Sequence, residues 1–564
     1  MKNRGIELVV AIFGLALLAQ NANGADSTIV KVDLPKGTLQ GLKTRTVLNG
    51  VTMYSFKGVR YAAPATGVHR FSVAREVAPW IGDYDATQHK SRCPQRCASA
   101  FKYIIGNDDC LFLNVYTSTL DCKAGLPVMF WLHGGSFNFG NGDSDVYGPD
   151  YLIENGVVLV SINYRLGPIG FLSTRDAAAP GNVGLKDQIA ALRWVKRNIR
   201  YFGGDPNRVT IFGDAAGAGS VQYHMISPLS AGLFAHAIAQ SGTVMTTWAI
   251  TYNSTKDSFA LGAAFGINTN NSTELVEGLL KINSTALVQM ANKLSRETEG
   301  MSGGHYLFKP SVEVNVGQEI FLPADPWQLL KTGRINDVPY MMGFNQDEMI
   351  IGANSIANVD YYNSHFEGFL PTDLNLTRGA VLDTDITLVR NFYFNGKNVT
   401  KNDIQAYIKL QSDLYFTYGT AFSLKMMRYY MTKPIHQYLF SFDGKLGFFK
   451  KFFNVSLTSG VAHADETGYM FYPALLKITP DKGSEEEKML YKMTRMWTDF
   501  AKYGDPTPKL SENVTTIWGD VTMNGYYLHI NTTTKMEQNV FAERVKFWAN
   551  IYKDLLGQFY QYFK

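Results

Sequence analysis

Long apolar runs and blocks of like charge are both missing from most of this sequence of 564 residues. The net charge of +4 is spread along the chain, which excludes the concentrated basic surface of a nucleic-acid-binding protein. After the first residues, no segment reaches the about 18 uninterrupted apolar residues of a membrane-spanning helix. The sequence also has no internal repeat and no linker rich in Pro, Gly or Ser. We therefore predict neither a nucleic-acid partner nor a membrane span.

The first residues, MKNRGIELVVAIFGLALLAQNANGADS, are the exception to this lack of apolar runs. They have a basic start at Lys2 and Arg4, an apolar run from Leu8 to Leu18, and small residues near Gly24. This pattern predicts that residues 1–24 are a secretory signal peptide, cleaved after Gly24. The polar C-terminus, LLGQFYQYFK, does not fit a lipid-anchor signal. We therefore predict that residues 25–564 form one secreted, extracellular domain.

Cysteine is scarce, and all four residues fall in one short region: Cys93, Cys97, Cys110 and Cys122. In a secreted chain such a cluster predicts two disulfides, and the alternative is one disulfide with two thiols. No second Cys/His pair has the spacing of a zinc site, so we predict no metal and no other cofactor.

N-x-S/T sequons are plentiful, and behind a signal peptide they predict N-glycosylation at the surface. They begin at Asn253, Asn271, Asn283, Asn375, Asn398, Asn454, Asn513 and Asn531.

Strand-like and helix-like segments alternate through the N-terminal half. LPVMFWLHGG and GVVLVSINYR are short apolar runs typical of strands that are buried on both faces. LKDQIAALRWVKRNIRYFGG is an amphipathic helix with its apolar positions on one face: Leu185, Ile189, Leu192, Val195 and Ile199. This alternation predicts an α/β fold with a central, mostly parallel sheet covered by helices.

The C-terminal half is less regular. From Asn253 to about Leu457 the chain carries most of the sequons and looks helical and loop-rich, which predicts a cap over the sheet. The last segment has apolar residues at helical spacing: Phe541, Val545, Trp548, Ile551 and Leu555. This helix can pack on its own domain or mediate dimerisation, and the sequence does not choose between them, so the oligomeric state is left open.

The stretch TIFGDAAGAGSV, from Thr210 to Val221, has the layout of a nucleophile elbow: a strand end, a tight turn and a helix start. Gly213 and Gly217 supply both glycines of the G-x-S-x-G pattern. The central position, however, is Ala215 rather than serine.

Several blocks together resemble the carboxylesterase and cholinesterase family, and most of all its secreted insect esterases. They are DDCLFLNVY, WLHGGSFNFG, NYRLGPIGFLST, FGGDPNRVTIFG, AIAQSG, GVAHADETGYMF and FAKYGDPTP. Because they occur in the family's order over nearly the whole chain, the resemblance implies the α/β-hydrolase fold.

The resemblance also implies site residues. The backbone N–H groups of Gly134, Gly135 and Ala216 match the family's oxyanion hole, which stabilises the tetrahedral intermediate. His463, in GVAHADE, matches the general base. The acid that orients it is Glu348 in VPYMMGFNQDEM, with the adjacent Asp347 as the alternative.

The nucleophile of that family is the one part this sequence lacks. Ser220 lies more than a helical turn beyond Ala215, Ser241 belongs to the QSG block, and Asp214 is expected to point away from the attack site. Without the serine, a comparable triad loses about a millionfold in turnover. We therefore expect near-zero hydrolysis.

Three functions follow from this interpretation. The favoured one is a secreted carboxylesterase-like protein that binds a small hydrophobic ester-like ligand in a retained gorge without hydrolysing it. The alternatives are an active carboxylic-ester hydrolase that works by an unusual route, and a secreted adhesion or partner-binding protein. The resemblance further implies a Cys93–Cys110 disulfide, leaves Cys97 and Cys122 without assigned counterparts, and offers no match for the choline-binding tryptophan.

Overall fold

A computed structural model describes residues 27–97, 103–298, 306–374, 383–447, 449–452, 455 and 457–564. The predicted signal peptide and the sequons at Asn375 and Asn454 lie outside these residues. The strands are β1 Thr28–Leu34, β2 Gly37–Arg45, β3 Thr52–Arg60, β4 Asp83–Asp85, β5 Gln95–Arg96, β6 Ile104–Ile105, β7 Phe112–Thr117, β8 Leu126–Leu132, β9 Val158–Ile162, β10 Gly204–Asp214, β11 His236–Gln240, β12 Tyr340–Asn345, β13 Ile435–Phe440, β14 Tyr526–Ile530 and β15 Lys535–Gln538.

The described strands form one 13-stranded sheet and a separate β5–β6 pair. The large sheet runs β1-β2-β3-β7-β9-β8-β10-β11-β12-β13-β14-β15, and β4 pairs with β2. All neighbours from β9 through β14 are parallel, whereas β1, β2, β3, β7 and β9 pair antiparallel in turn, as do β14 and β15. The prediction of a mostly parallel central sheet is confirmed.

The α-helices are α1 Asp150–Ile153, α2 Gly167–Phe171, α3 Val183–Asn198, α4 Ala216–Ile226, α5 Ser254–Ala263, α6 Ser272–Leu280, α7 Ser284–Thr298, α8 Pro326–Lys331, α9 Val359–Ser364, α10 Asp383–Phe394, α11 Ile404–Ser412, α12 Tyr418–Tyr430, α13 Phe449–Phe452, α14 Glu485–Tyr503, α15 Ala542–Ile551 and α16 Lys553–Leu556. A π-helical turn, Asp413–Thr417, joins α11 to α12. The 3-10 segments include Glu348–Asn358 after β12 and Gly557–Phe563 after α16.

The core has two layers because alternate residues of a strand face opposite sides of the sheet. On β8, Phe130 belongs to the cluster that includes Leu185 and Ile189 of α3. Its neighbour Trp131 belongs to the other cluster, with Trp497 of α14. Strands β8 and β9 are buried along almost their whole length, as their apolar sequences predict.

Between β11 and β13 the chain is mostly helical, in agreement with the predicted cap. The predicted C-terminal helix is split into α15, α16 and the last 3-10 segment, and it packs on its own chain. Trp548 is fully buried, and its ring lies 5.4 Å from that of Tyr418 on α12. No described helix is long and apolar enough to cross a membrane.

Of the two predicted arrangements of the cysteines, the structure shows the one with a single disulfide. Cys93 and Cys110 form a disulfide, whereas Cys97 and Cys122 are thiols, so the expectation of two disulfides is wrong. The reason is their placement: Cys97 follows β5 of the small sheet, and Cys122 lies in the exposed turn between β7 and β8. Among the sequons that the structure describes, Asn253, Asn271, Asn283 and Asn398 are exposed, and Asn513 and Asn531 are half-buried.

Candidate active site

The turn between β10 and α4 has the sharp geometry that its sequence predicts. Ala215 adopts φ 53° and ψ −117°, a conformation that costs a residue with a side chain about 1–3 kcal/mol. The two flanking glycines are required by close packing. A Cβ on Gly213 would lie 2.5 Å from the carbonyl oxygen of Leu132, and one on Gly217 would lie 1.9 Å from the same atom. The strand end and the helix start are therefore pressed against β8.

The glycine loop after β8 lies against this turn. A Cβ on Gly134 would be 2.9 Å from the carbonyl oxygen of Asp214 and 3.1 Å from Cβ of Ala215, so no side chain fits between the two segments without a shift of backbone. Gly135 has φ 110°, and a Cβ there would lie 2.0 Å from the carbonyl oxygen of Phe139. Ala216 is the first residue of α4, so its N–H has no acceptor within the helix. The backbone amides that the sequence singled out thus come from two adjoining segments.

Glu348 and His463 are in contact although 115 positions separate them. Nδ1 of His463 lies 2.6 Å from Oε2 of Glu348, and the backbone N–H of His463 donates to the carbonyl oxygen of Glu348. The other carboxylate oxygen, Oε1, accepts from the Ser241 hydroxyl at 2.5 Å and from the Asn345 N–H at 2.7 Å. Glu348 is fully buried, and these bonds hold it in one orientation.

Asp347 does not take part in this pair. Its backbone N–H donates to the carbonyl oxygen of Val461, and its carboxylate accepts from the side chain of Gln346. Of the two adjacent acids that the sequence offered, Glu348 is the one that the fold places against the imidazole.

Asp214 lies closer to the imidazole than the sequence suggested. Its Oδ2 is 3.9 Å from Nε2 of His463, and its Oδ1 is buried without a hydrogen-bond partner in the described structure. Burial raises the pKa of Asp214 well above its usual range. The pKa of His463 is also raised, to about 9, because the carboxylates of Asp214 and Glu348 outweigh burial, which opposes the charge of the imidazole.

Two further residues at this site, Glu466 and Phe416, were not among the residues predicted from the sequence. Glu466, three residues after His463, is buried and accepts hydrogen bonds from Gln240 and Asn345, and burial raises its pKa. The ring of Phe416 stacks on the imidazole with centroids 4.7 Å apart. Phe416 lies in the π-helical turn, an irregularity that helical periodicity does not predict and that is frequent at functional sites.

The two serines near the turn are engaged elsewhere. The Ser220 hydroxyl donates to the carbonyl oxygen of Ala216 at 2.9 Å and accepts from the amide of Gln188. The hydroxyl of Ser241 donates a hydrogen bond to the carboxylate of Glu348. Within the described residues, no cluster of three or more His, Cys, Asp or Glu side chains has the arrangement of a metal site.

Comparisons with known proteins identify the family of this chain. Residues 26–548 match the model of the carboxylesterase family. The chain is 35% identical to juvenile hormone esterase of Tribolium castaneum, which covers 89% of this chain and 90% of the relative. It is 36% identical to esterase FE4 of Myzus persicae, with 93% and 92% covered.

A solved structure is also similar: juvenile hormone esterase from Manduca sexta, with OTFP covalently attached. The TM-score is 0.84 at 28% identity, and the match covers 93% of this chain and all of the other. The fold is therefore that of the α/β-hydrolases, and the chain belongs to the carboxylesterase family.

Proposed function

We propose that this chain is a secreted carboxylesterase-like protein that binds a hydrophobic, ester-like small molecule without turning it over. The observation that carries the proposal is the side chain of Ala215. Ester hydrolysis through an acyl-enzyme needs a nucleophilic oxygen at the elbow, next to the backbone amides that stabilise the oxyanion. At this elbow the side chain is a methyl group.

Neither of the two serines described near the elbow is placed to take over that role. The Ser220 and Ser241 hydroxyls are committed to Ala216 and Glu348. An attacking oxygen at either position would also be displaced from the elbow, whereas the oxyanion donors are part of its backbone. A general base and its orienting acid thus remain in contact, at His463 and Glu348, with no side-chain nucleophile to activate.

The remaining parts support a binding role. The amides of Gly134, Gly135 and Ala216 offer donors for a carbonyl oxygen, and the buried ring of Phe416 packs on the imidazole of His463. Part of the His463 side chain is exposed, so the pair is not sealed from solvent. Among the relatives, two are juvenile hormone esterases, which makes juvenile hormone one ester to test for binding.

The experiment compares hydrolysis of a simple aryl ester by the natural protein and by the single variant Ala215→Ser. We expect the natural protein to be close to the uncatalysed rate and the variant to be faster by roughly a thousandfold or more, since loss of the serine costs about a millionfold in a comparable triad. The double variant Ala215→Ser with His463→Gln is the control, and it should return to the natural protein's rate.

A second candidate is an active ester hydrolase that uses water in place of the serine. The observation in its favour is the paired imidazole, together with relatives that are named as esterases. If the natural protein hydrolyses the ester at a rate that Ala215→Ser hardly improves, and His463→Gln abolishes it, this second function replaces the first.

A further inference from the structure

A cavity of about 480 Å³ lies between the sheet and the C-terminal helices. Its lining comes from β12, β13, the last residue of the π-helical turn (Thr417), α12, α15, the two ends of the β14–β15 hairpin and the last residues of the chain. No residue of the elbow, the glycine loop or the Glu348–His463 pair lines it. Its volume falls in the range of about 300–1,000 Å³ that small-molecule sites occupy. It is therefore a separate space in which a ligand can be tested.

Gln437 places a polar group in this cavity. The residue lies on β13, lines the cavity and is only 4% exposed. Its backbone carbonyl accepts a hydrogen bond from Trp518, but its side-chain amide has no hydrogen-bond partner among the described residues. The amide atoms retain some solvent access, so they can bond water at the cavity wall. A polar ligand atom can take the place of that water.

Positive charge surrounds the same space. Lys425, on α12, is half-buried, and its Nζ donates to the carbonyl oxygen of Met523 at 2.5 Å. Burial lowers its pKa, and no described carboxylate forms an ion pair with it. Lys546 and Lys564 also line the cavity, and Glu543 is the one acidic residue among the described lining residues. The lining therefore favours an anion over a cation.

The rest of the wall combines polar side chains, among them Thr417, Asn524 and Asn539, with apolar ones. Five apolar side chains from five parts of the fold contribute to the wall: Phe344, Leu424, Val540, Val545 and Phe563. In a small-molecule site, burial against such apolar side chains supplies affinity, and the polar groups supply orientation.

We propose that this cavity binds an amphipathic organic anion, with its carboxylate held by Lys425 and Gln437 and its apolar body packed between α12 and α15. A carboxylate gives Lys425 a charged partner that the described residues do not supply, and charge-assisted hydrogen bonds are the stronger kind. The proposal does not depend on the elbow, so it stands or falls separately from the proposed function.

The first experiment measures binding of dodecanoate to the whole natural protein by calorimetry, below the micelle concentration. Dodecan-1-ol and dodecyltrimethylammonium share its chain length and differ only at the head group. We expect saturable binding of dodecanoate and at least about tenfold weaker binding of the other two, because only the carboxylate pairs with Lys425. Equal binding of all three would overturn the proposal.

Variants then test the site itself. Lys425→Met keeps the length of the side chain and removes its charge, and Gln437→Leu keeps the approximate volume and removes the amide. We expect each to weaken dodecanoate binding by about tenfold. The matched control is Lys482→Met, at an exposed lysine that does not line the cavity. Unchanged affinity in both test variants would overturn the proposal.

A photoreactive dodecanoate followed by peptide mapping gives the location directly. We expect labelling in the peptides that contain Leu424 and Val545, and its loss in Val545→Trp, which fills the space. Labelling confined to peptides that contain Ala215 or His463 would show that the anion binds the candidate active site instead, and would overturn the proposal.

Discussion

The methyl group of Ala215 leaves the imidazole of His463 with carboxylates as its nearest charged neighbours. Glu348 is hydrogen-bonded to Nδ1, and Asp214 approaches Nε2 to 3.9 Å. Both carboxylates favour the protonated ring, which explains why the pKa of His463 rises to about 9 although burial opposes the charge. A protonated imidazole cannot act as a base. The two carboxylates therefore stabilise His463 as an imidazolium in the resting protein.

This charge arrangement predicts the pH dependence of the Ala215→Ser variant. The base must be neutral, and the raised pKa of His463 means that it loses its proton only at high pH. We expect kcat/KM for an aryl ester to rise with pH through a midpoint near 9 instead of near the ordinary value of 6.5. The natural protein measured at each pH supplies the background rate.

Asp214→Asn in the Ala215→Ser background tests which carboxylate is responsible. Removal of the charge beside Nε2 should lower that midpoint by roughly one pH unit, because an opposite charge within a few ångströms stabilises the protonated ring. Asp554→Asn, at an exposed acid on α16, is the matched control and should leave the midpoint unchanged. An identical midpoint in all three proteins would contradict the assignment to Asp214.

At the scale of elements, the elbow depends on how closely β10 and α4 approach β8. Gly217 has no space for a Cβ, since that atom would meet the carbonyl oxygen of Leu132 at 1.9 Å. Gly219, two residues further along the same helix, has space: its nearest neighbour would be a ring atom of Phe137 at 3.7 Å. Close packing therefore requires glycine at position 217 but not at position 219.

Alanine at these two positions should change stability in opposite directions. We expect Gly217→Ala to lower the free energy of unfolding by about 3 kcal/mol or more, because backbone has to move. Gly219→Ala should raise it by about 0.5–1 kcal/mol through helix propensity. Urea denaturation of both variants beside the natural protein measures the difference. A similar loss in both would mean that the close approach to Leu132 is not what requires Gly217.

At the scale of the whole molecule, a buried ion pair joins the helix α3 to the segment that follows β9. Arg165 and Asp187 form two hydrogen bonds between their side chains and are both fully buried. The same guanidinium donates to the carbonyl oxygens of Arg70 and Ser72, so one side chain ties the N-terminal region to the sheet. On the outer part of α3, Arg193 pairs with Glu319 in solvent.

Removal of the acid from each pair compares how much a buried and an exposed ion pair contribute to the free energy of unfolding. Asp187→Asn leaves Arg165 buried without a counter-charge, and we expect a loss of about 3–5 kcal/mol of unfolding free energy. Glu319→Gln breaks an exposed pair that is worth about 0–1 kcal/mol, so it serves as the control. Denaturation curves of both variants make the comparison. Equal effects would show that the Arg165 pair does not support the fold in this way.

Local sequence patterns were sufficient to predict the main strands and helices and the order in which the candidate site residues follow one another along the chain. The apolar runs of β8 and β9 and the single apolar face of α3 are set by side-chain periodicity, which is a property of neighbouring residues. The elbow, the glycine loop, Glu348 and His463 each lie in a short motif, so the sequence predicted them and named Glu348 over Asp347. What the motifs do, however, remains a proposal that the variants above test.

The sequence by itself determined the family, the fold and the missing hydroxyl at Ala215, because each of these is written in contiguous residues. Only the tertiary structure decided that Asp214 faces Nε2, that Phe416 stacks on the imidazole, and that Gln437 lines the cavity beside the C-terminal helices. These relations join segments far apart in the chain, brought together where parallel strands of one sheet and the helices over it pack. No local pattern of side chains specifies which of them will meet.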